Sequence, residues 1–197
     1  LGTPISSLLG WVKLLEDDDS DHETVVQMMN QDLHRLSDIS DRFHKIGSTP
    51  QFTEIDIFSL SEEICNYMKT RLPTVSDIEM KVSGKHSIIQ GERVLLSWSL
   101  ENLVKNALDA IGKGKGSIEI NIGSDHSEVF VQIKDTGRGI SRKNRTNIFR
   151  PGFSTKKRGW GLGLSLTKRI IEDIHHGKII LLHSHPEETV FKIILYS

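Results

Sequence analysis

The sequence predicts an α+β chain: an N-terminal antiparallel helical hairpin that closes as a dimeric four-helix bundle, followed by an α/β sandwich. Three observations carry this. Val25, Met29, Leu36, Ile39, Phe43 and Ile46 fall on the alternating four-three spacing of a helical seam. Gly47-Ser48-Thr49-Pro50 reads as a helix stop. Beyond it, short period-2 segments alternate with a long amphipathic helix, and the chain closes in two apolar strands. The predicted boundaries are a hairpin over 1–47, a linker over 48–51 and a second domain over 52–197.

In the hairpin, Ile5, Leu8, Leu9, Val12 and Leu15 recur at helical spacing until the acidic tract Glu16–Asp19 breaks the pattern. The second helix, Asp21 to Ile46, would span ~39 Å. It carries polar Asp32 at one seam position. A first helix ending near Glu16 is too short to cover that seam. The first helix is therefore expected to continue upstream of Leu1, or a second subunit to cover the remainder. A dimerising bundle meets both needs, with Trp11, Met28 and Met29 in its core or seam.

In the second domain, Phe52–Phe58 alternates as a strand, and Ser59 with Glu62 forms a capping box for a helix to about Arg71. Ile78–Val82 is a strand. Glu92–Ile111 is a helix that turns Leu96, Leu100, Leu103, Ala107 and Ala110 or Ile111 inward, with Trp98 expected in the core. Ser117–Ile122 and Val129–Lys134 are strands about a turn. A Gly-rich region runs from Asp135 to Gly163, then a helix from Leu164 to Ile174. Lys178–His183 and Thr189–Tyr196 pair as a hairpin around Pro186.

Composition excludes several classes. Among 197 residues, 25 Lys and Arg balance 26 Asp and Glu, a net charge of −1. That gives no pull toward nucleic acid or anionic membrane, and no nucleic-acid partner is expected. The longest apolar runs are four residues, Ile179–Leu182 and Ile193–Tyr196, against about 20 for a membrane span. No signal-peptide pattern opens the chain. A lone cysteine, Cys65, excludes an internal disulfide framework, fits the cytoplasm and reads as a small buried hydrophobe. A membrane anchor elsewhere in a parent protein stays open.

Three segments carry chemistry. Asn102, Asn106 and Asp109 share one helix face. Amide oxygens there can help coordinate Mg²⁺ and amide nitrogens can donate to phosphate; an ordinary solvated face is the alternative. Asp135-Thr136-Gly137-Arg138-Gly139-Ile140 follows a strand. Its carboxylate can accept from an exocyclic amine such as adenine N6, and its glycines admit close backbone approach; a simple Gly-rich turn is the alternative. Gly159-Trp160-Gly161-Leu162-Gly163-Leu164 opens a helix behind Lys156, Lys157 and Arg158, exposing backbone N–H groups to an anion. It is neither a P-loop nor a Rossmann fingerprint.

Taken in order, these segments resemble the sensor histidine kinases of two-component systems. Asn102…Asn106 resembles the N box, Asp135–Gly139 the G1 box, Phe149-Arg150-Pro151-Gly152-Phe153-Ser154-Thr155-Lys156 the F box, and Gly159–Leu164 the G2 box. Leu1-Gly2-Thr3-Pro4-Ile5 resembles the tail of the H box. The resemblance implies a Bergerat-type ATP-binding domain, as in gyrase and Hsp90, behind a dimerisation and histidine-phosphotransfer hairpin. It implies that Asp135 reads the adenine amine, with Gly137, Gly139, Ile140 and Thr189 beside it. Asn106 with Asn102 would hold Mg²⁺. Gly161, Leu162, Gly163 and Leu164 would line the phosphates, and Phe149 to Trp160, with Thr155 and Lys156, would form a mobile lid. Thr3 matches a threonine that, in related kinases, orients water for dephosphorylating the response regulator. The implied cofactors are ATP and Mg²⁺. The implied partners are a second copy, a response-regulator receiver domain and an upstream sensor domain.

Three departures from the family pattern stand out. Gly152 replaces an aromatic, which predicts a looser lid. Asp109 stands where many relatives have Lys, so Lys105 is the expected phosphate cation, and the Asn-Ala-x-Asp-Ala form is closer to the nitrogen-regulation kinases. None of the nine histidines sits in the phosphoacceptor context; the motif places that histidine two residues before Leu1. Two alternatives remain: a serine kinase or ATPase of the same superfamily, and a degenerate module that binds nucleotide or only dimerises.

Overall fold

The computed structural model describes residues 2–16, 21–72, 77–125, 127–156 and 161–196. The expected roles of Leu1, Asp17–Asp19, Lys157, Arg158, Gly159 and Trp160 lie outside these residues, as do the side chains of Thr3, Ile5, Ile39 and Phe43. The chain divides into two compact units, Leu1–Thr49 and Pro50–Ser197.

The N-terminal unit holds α1 (Gly2–Leu15) and α2 (His22–Gly47), packed on one another. Asp21 caps α2, its carboxylate accepting from the Thr24 N–H at 3.3 Å. Asp32 is 5% exposed and accepts from the Trp11 indole N–H at 3.1 Å. A polar residue is tolerated in the seam because the partner helix brings it a donor. Val25 is buried and Met29, Leu36 and Ile46 are partly buried, while Leu9, Val12, Val26, Met28 and Leu33 are exposed.

The second unit opens with β1 (Thr53–Asp56), α3 (Ile57–Lys69), β2 (Ile78–Gly84), β3 (Ile88–Gly91) and α4 (Arg93–Ile111). Then come β4 (Gly116–Asp125), β5 (Glu128–Asp135), the short α5 (Arg142–Arg145) and α6 (Gly163–Lys168). A π-helical segment (Arg169–Ile174) widens the end of α6 before β6 (Lys178–His185) and β7 (Glu188–Tyr196). The main sheet has the order β2-β4-β5-β7-β6; β2 and β4 run parallel and the other neighbours antiparallel. β1 and β3 form a separate antiparallel pair. Along β5, Val129, Val131, Ile133 and Asp135 are buried, and the first three join Leu96, Leu100, Leu103 and Ala107 of α4 in one core. Among the described residues, no helix is long and apolar enough to cross a membrane.

Several sequence expectations are corrected. α3 starts at Ile57, capped by Asp56 and not by Ser59. The Asp56 carboxylate accepts from the Phe58 N–H (3.2 Å), the Ser59 hydroxyl (2.7 Å) and the Ser87 N–H (3.1 Å). Burial alone would raise its pKa; these bonds and His86 together hold it at about 2. Strand β3 was absent from the sequence reading, because four residues beside a helix cap show no period. From the sequence, His175 and His176 before Gly177 read as a helix C-terminus where an imidazolium suits the dipole; His175 departs from this. It is buried, and burial lowers its pKa. Its Nδ1–H donates to the Ile170 carbonyl at 2.8 Å, Nε2 accepts from the Glu92 N–H at 3.0 Å, and the ring stacks on Phe52. Cys65 is buried in the core.

Candidate functional site

One cavity of about 650 Å³ opens beside α4, between the Gly-rich region and the β6–β7 hairpin. The α4 face contributes Asn102, Lys105, Asn106 and Asp109, spaced as one helical stripe. The β5 end contributes Asp135, and the following loop Gly139 and Ile140. The segment before α6 contributes Thr155, Lys156, Gly161, Leu162, Gly163 and Leu164, and β7 contributes Thr189. Gly137 and Phe149, both named from the sequence, lie outside the cavity lining. Gly137 acts from behind, its N–H donating to Asp135 Oδ1 at 2.8 Å. Phe149 packs edge-on against Phe191. Thr3 belongs to the other unit.

Asp135 is a strongly perturbed carboxyl. It is 4% exposed, and burial raises its pKa to about 6 while the Gly137 N–H pulls the other way. Thr189 is buried beside it. Its hydroxyl and that of Ser184 are 2.8 Å apart, and the Ile140 N–H donates to Ser184 at 2.8 Å. This chain of bonds ties the Gly-rich loop to the hairpin.

Two glycines mark this region. A Cβ on Gly163 would sit 2.5 Å from the Asn102 amide oxygen, so the start of α6 lies directly on α4. There Asn102 Nδ2 donates to the Thr167 hydroxyl at 2.8 Å. Gly152 has φ +79° and its N–H donates to the Gly161 carbonyl at 3.0 Å. The residue that departs from the aromatic pattern thus makes a left-handed turn that pins the base of the segment.

Lys156 bridges the two faces. Its ammonium donates to Asn106 Oδ1 at 2.9 Å and pairs with the Asp109 carboxylate. Trp98, expected in the core, is half-buried and lines the cavity, as do Arg138, Asn144 and Phe153. Arg138 and Phe153 lie inside the motif segments without a role of their own in the sequence reading, Trp98 continues the α4 stripe, and Asn144 carries no spacing signal.

Residues 91–196 match the family described as histidine kinase-, DNA gyrase B-, and HSP90-like ATPase. The match covers more than half of the chain, and the chain belongs to this family. Its relatives within it are sensor histidine kinases of two-component signalling. It is 31% identical over 196 residues to sporulation kinase A of Bacillus subtilis, covering 96% of this chain and 32% of that protein. It is 26% identical to the sensory histidine kinase/phosphatase NtrB of Azospirillum brasilense, covering 98% and 52%. The chain thus spans about a third to a half of these curated relatives. The nitrogen-regulation subtype is supported only loosely, since sporulation kinases match as well. The catalytic domain of histidine kinase ThkA superposes with a TM-score of 0.67 at 30% identity, over 74% of this chain and 95% of that one. ThkA in complex with the response regulator TrrA matches with a TM-score of 0.63 at 26% identity, over 98% and 57%.

Proposed function

We propose that the chain is the catalytic core of a two-component sensor histidine kinase that binds Mg·ATP in this cavity. The reading rests above all on the buried carboxyl of Asp135 beside Thr189 in the cavity wall, a recognition point for an exocyclic amine. Asp135 accepts from the adenine amine, and Thr189, Gly139 and Ile140 shape the base pocket. Asn106 and Asn102 hold Mg²⁺; the fit is supported by Asn106 Oδ1, which already accepts from a cation, the Lys156 ammonium. Lys105 and the N–H groups of Gly161 to Leu164 face the phosphates. Bound ATP supplies the phosphoryl group and Mg²⁺ neutralises its charge, so the chain's own work is positioning and exclusion of water.

The nucleophile is an imidazole nitrogen of the helical pair, placed by the H-box resemblance two residues before Leu1 in the parent protein. The phosphoryl group passes to an aspartate of a receiver domain docked near Thr3, where Thr3 also serves dephosphorylation. The two helices act as an antiparallel hairpin, and a second copy completes a four-helix bundle. Exposed Leu9 (64%), Leu33 (51%) and Val26 (48%) support that bundle. Cytoplasmic placement follows from the ATP requirement.

The test is a version of the chain extended upstream by two helical turns, incubated with Mg·ATP. Acid-labile, base-stable phosphate on protein supports the reading. Acid-stable phosphate points to a serine kinase, and no labelling, with or without nucleotide affinity, points to a degenerate module.

A further inference from the structure

The β6–β7 hairpin carries a second cluster of ligating side chains, on the sheet face opposite the cavity. Side chains alternate along a strand. Ser184 and Thr189 are buried toward the cavity, whereas His183, His185 and Glu188 point the other way and reach solvent. His185 and Glu188 are direct partners flanking the Pro186-Glu187 turn, and a register irregularity between Leu181 and His183 brings His183 alongside. One ligand atom from each of His183, His185 and Glu188 lies within 4.8 Å of the others. The two imidazole rings are nearly parallel, with centroids 5.8 Å apart.

We propose that His183, His185 and Glu188 form a binding site for a borderline divalent transition metal, with Zn²⁺ as the best-suited ion. Two imidazoles and one carboxylate are a donor set that zinc takes readily, leaving a fourth position for water. The surrounding bonds suit the ligands. His185 Nδ1 lies 3.0 Å from the Pro186 carbonyl. Donation of its N–H there leaves Nε2 as a lone pair, the outer-shell arrangement usual for a ligating histidine. His183 Nε2 contacts Glu188 Oε1, and a metal would replace the proton between them. Lys134 donates to Glu188 Oε2 at 2.9 Å, which orients the carboxylate. Zinc-to-ligand distances of about 2 Å need the three groups to close further on the ion. Bridging both strands across their turn, the ion would brace the hairpin that carries Thr189. This site is separate from the Asn106 region, which offers only oxygen donors and suits Mg²⁺.

The tag-free 197-residue chain, freed of metal by chelator and kept in excess Mg²⁺, is titrated with Zn²⁺ by calorimetry and with Co²⁺ by visible absorption. Expected are one saturable equivalent, Co²⁺ bands of a four- or five-coordinate ion, and a rise in melting temperature with Zn²⁺. His185→Ala and Glu188→Gln each weaken binding about tenfold or more, and His183→Ala/His185→Ala abolishes both the bands and the thermal shift. All three variants keep the wild-type circular dichroism without metal. Absence of saturable Zn²⁺ binding in the wild type, or binding unchanged in the double variant, overturns the site.

Discussion

Asp135 on β5 and Thr189 on β7 are direct partners across an antiparallel strand pair, and both side chains are buried at the wall of one cavity. Neighbouring strands hold the two side chains on one face, so this part of the wall is set by strand register. An ionised carboxylate there accepts better from an amine than a protonated one. Nucleotide affinity should therefore fall as pH drops through about 6, the Asp135 value. Asp135→Asn should weaken ADP binding at pH 7.5 at least about tenfold and remove most of that pH dependence. Calorimetric titration of both proteins between pH 5.5 and 7.5 checks this; the difference between them cancels titration of the nucleotide's own phosphate.

Two buried groups should pull ligand-free stability in opposite directions as pH changes. Asp135 is raised from 3.8 to about 6, so its contribution is full below 3.8 and lost as pH rises through about 6. His175 is lowered from 6.5, so its contribution is present above 6.5 and lost as pH falls through the folded value. Between pH 7 and 5 the two offset each other. Asp135→Asn should make the melting temperature drop more steeply on acidification, and His175→Gln should flatten it. Parallel thermal scans of the three proteins decide it.

The Lys156 ammonium occupies the Asn106–Asp109 face in the ligand-free structure. A cation binding at Asn106 must displace it. Asp109→Asn loosens that hold, and Mg·ADP should bind about two- to fivefold tighter, the scale of an exposed ion pair. Weaker binding would instead make Asp109 a partner of the metal. Lys105→Ala should lower affinity in the same titration; an unchanged value removes Lys105 as the phosphate cation.

The Trp11 indole N–H and Asp32 tie α1 to α2. Asp32→Ala strands the donor and should cost about 1 kcal/mol in the N-terminal unit. Asp32→Asn keeps an acceptor oxygen and should cost less. The helical circular dichroism signal on heating reads both.

The long helices, the central strands and the family motifs were legible because each rests on local pattern: a 3.6 period in α4, a period of two in β5, and glycines at close contacts. What lay hidden was non-local. Ser87 and His86 reach the Asp56 carboxylate only through the pairing of β1 with β3, and a four-residue strand such as β3 has too few positions to show a period. His175 reads from the sequence as a helix-end imidazolium because it and His176 precede Gly177 at a helix C-terminus. Its true surroundings are Glu92, Phe52 and Ile170, contributed by three separate stretches of chain.

The sequence alone therefore determined the element types, the order of the motifs and the family resemblance, since these are set by residue spacing and backbone preference. Only the tertiary structure decided that Gly137 and Phe149 stand behind the cavity wall, that Trp98 forms part of it, and that Lys156 reaches across to Asn106 and Asp109. It alone placed His183, His185 and Glu188 together on the outer sheet face. Burial and strand register arise from contacts between segments distant in sequence, and no local pattern encodes which side chains those contacts bring together.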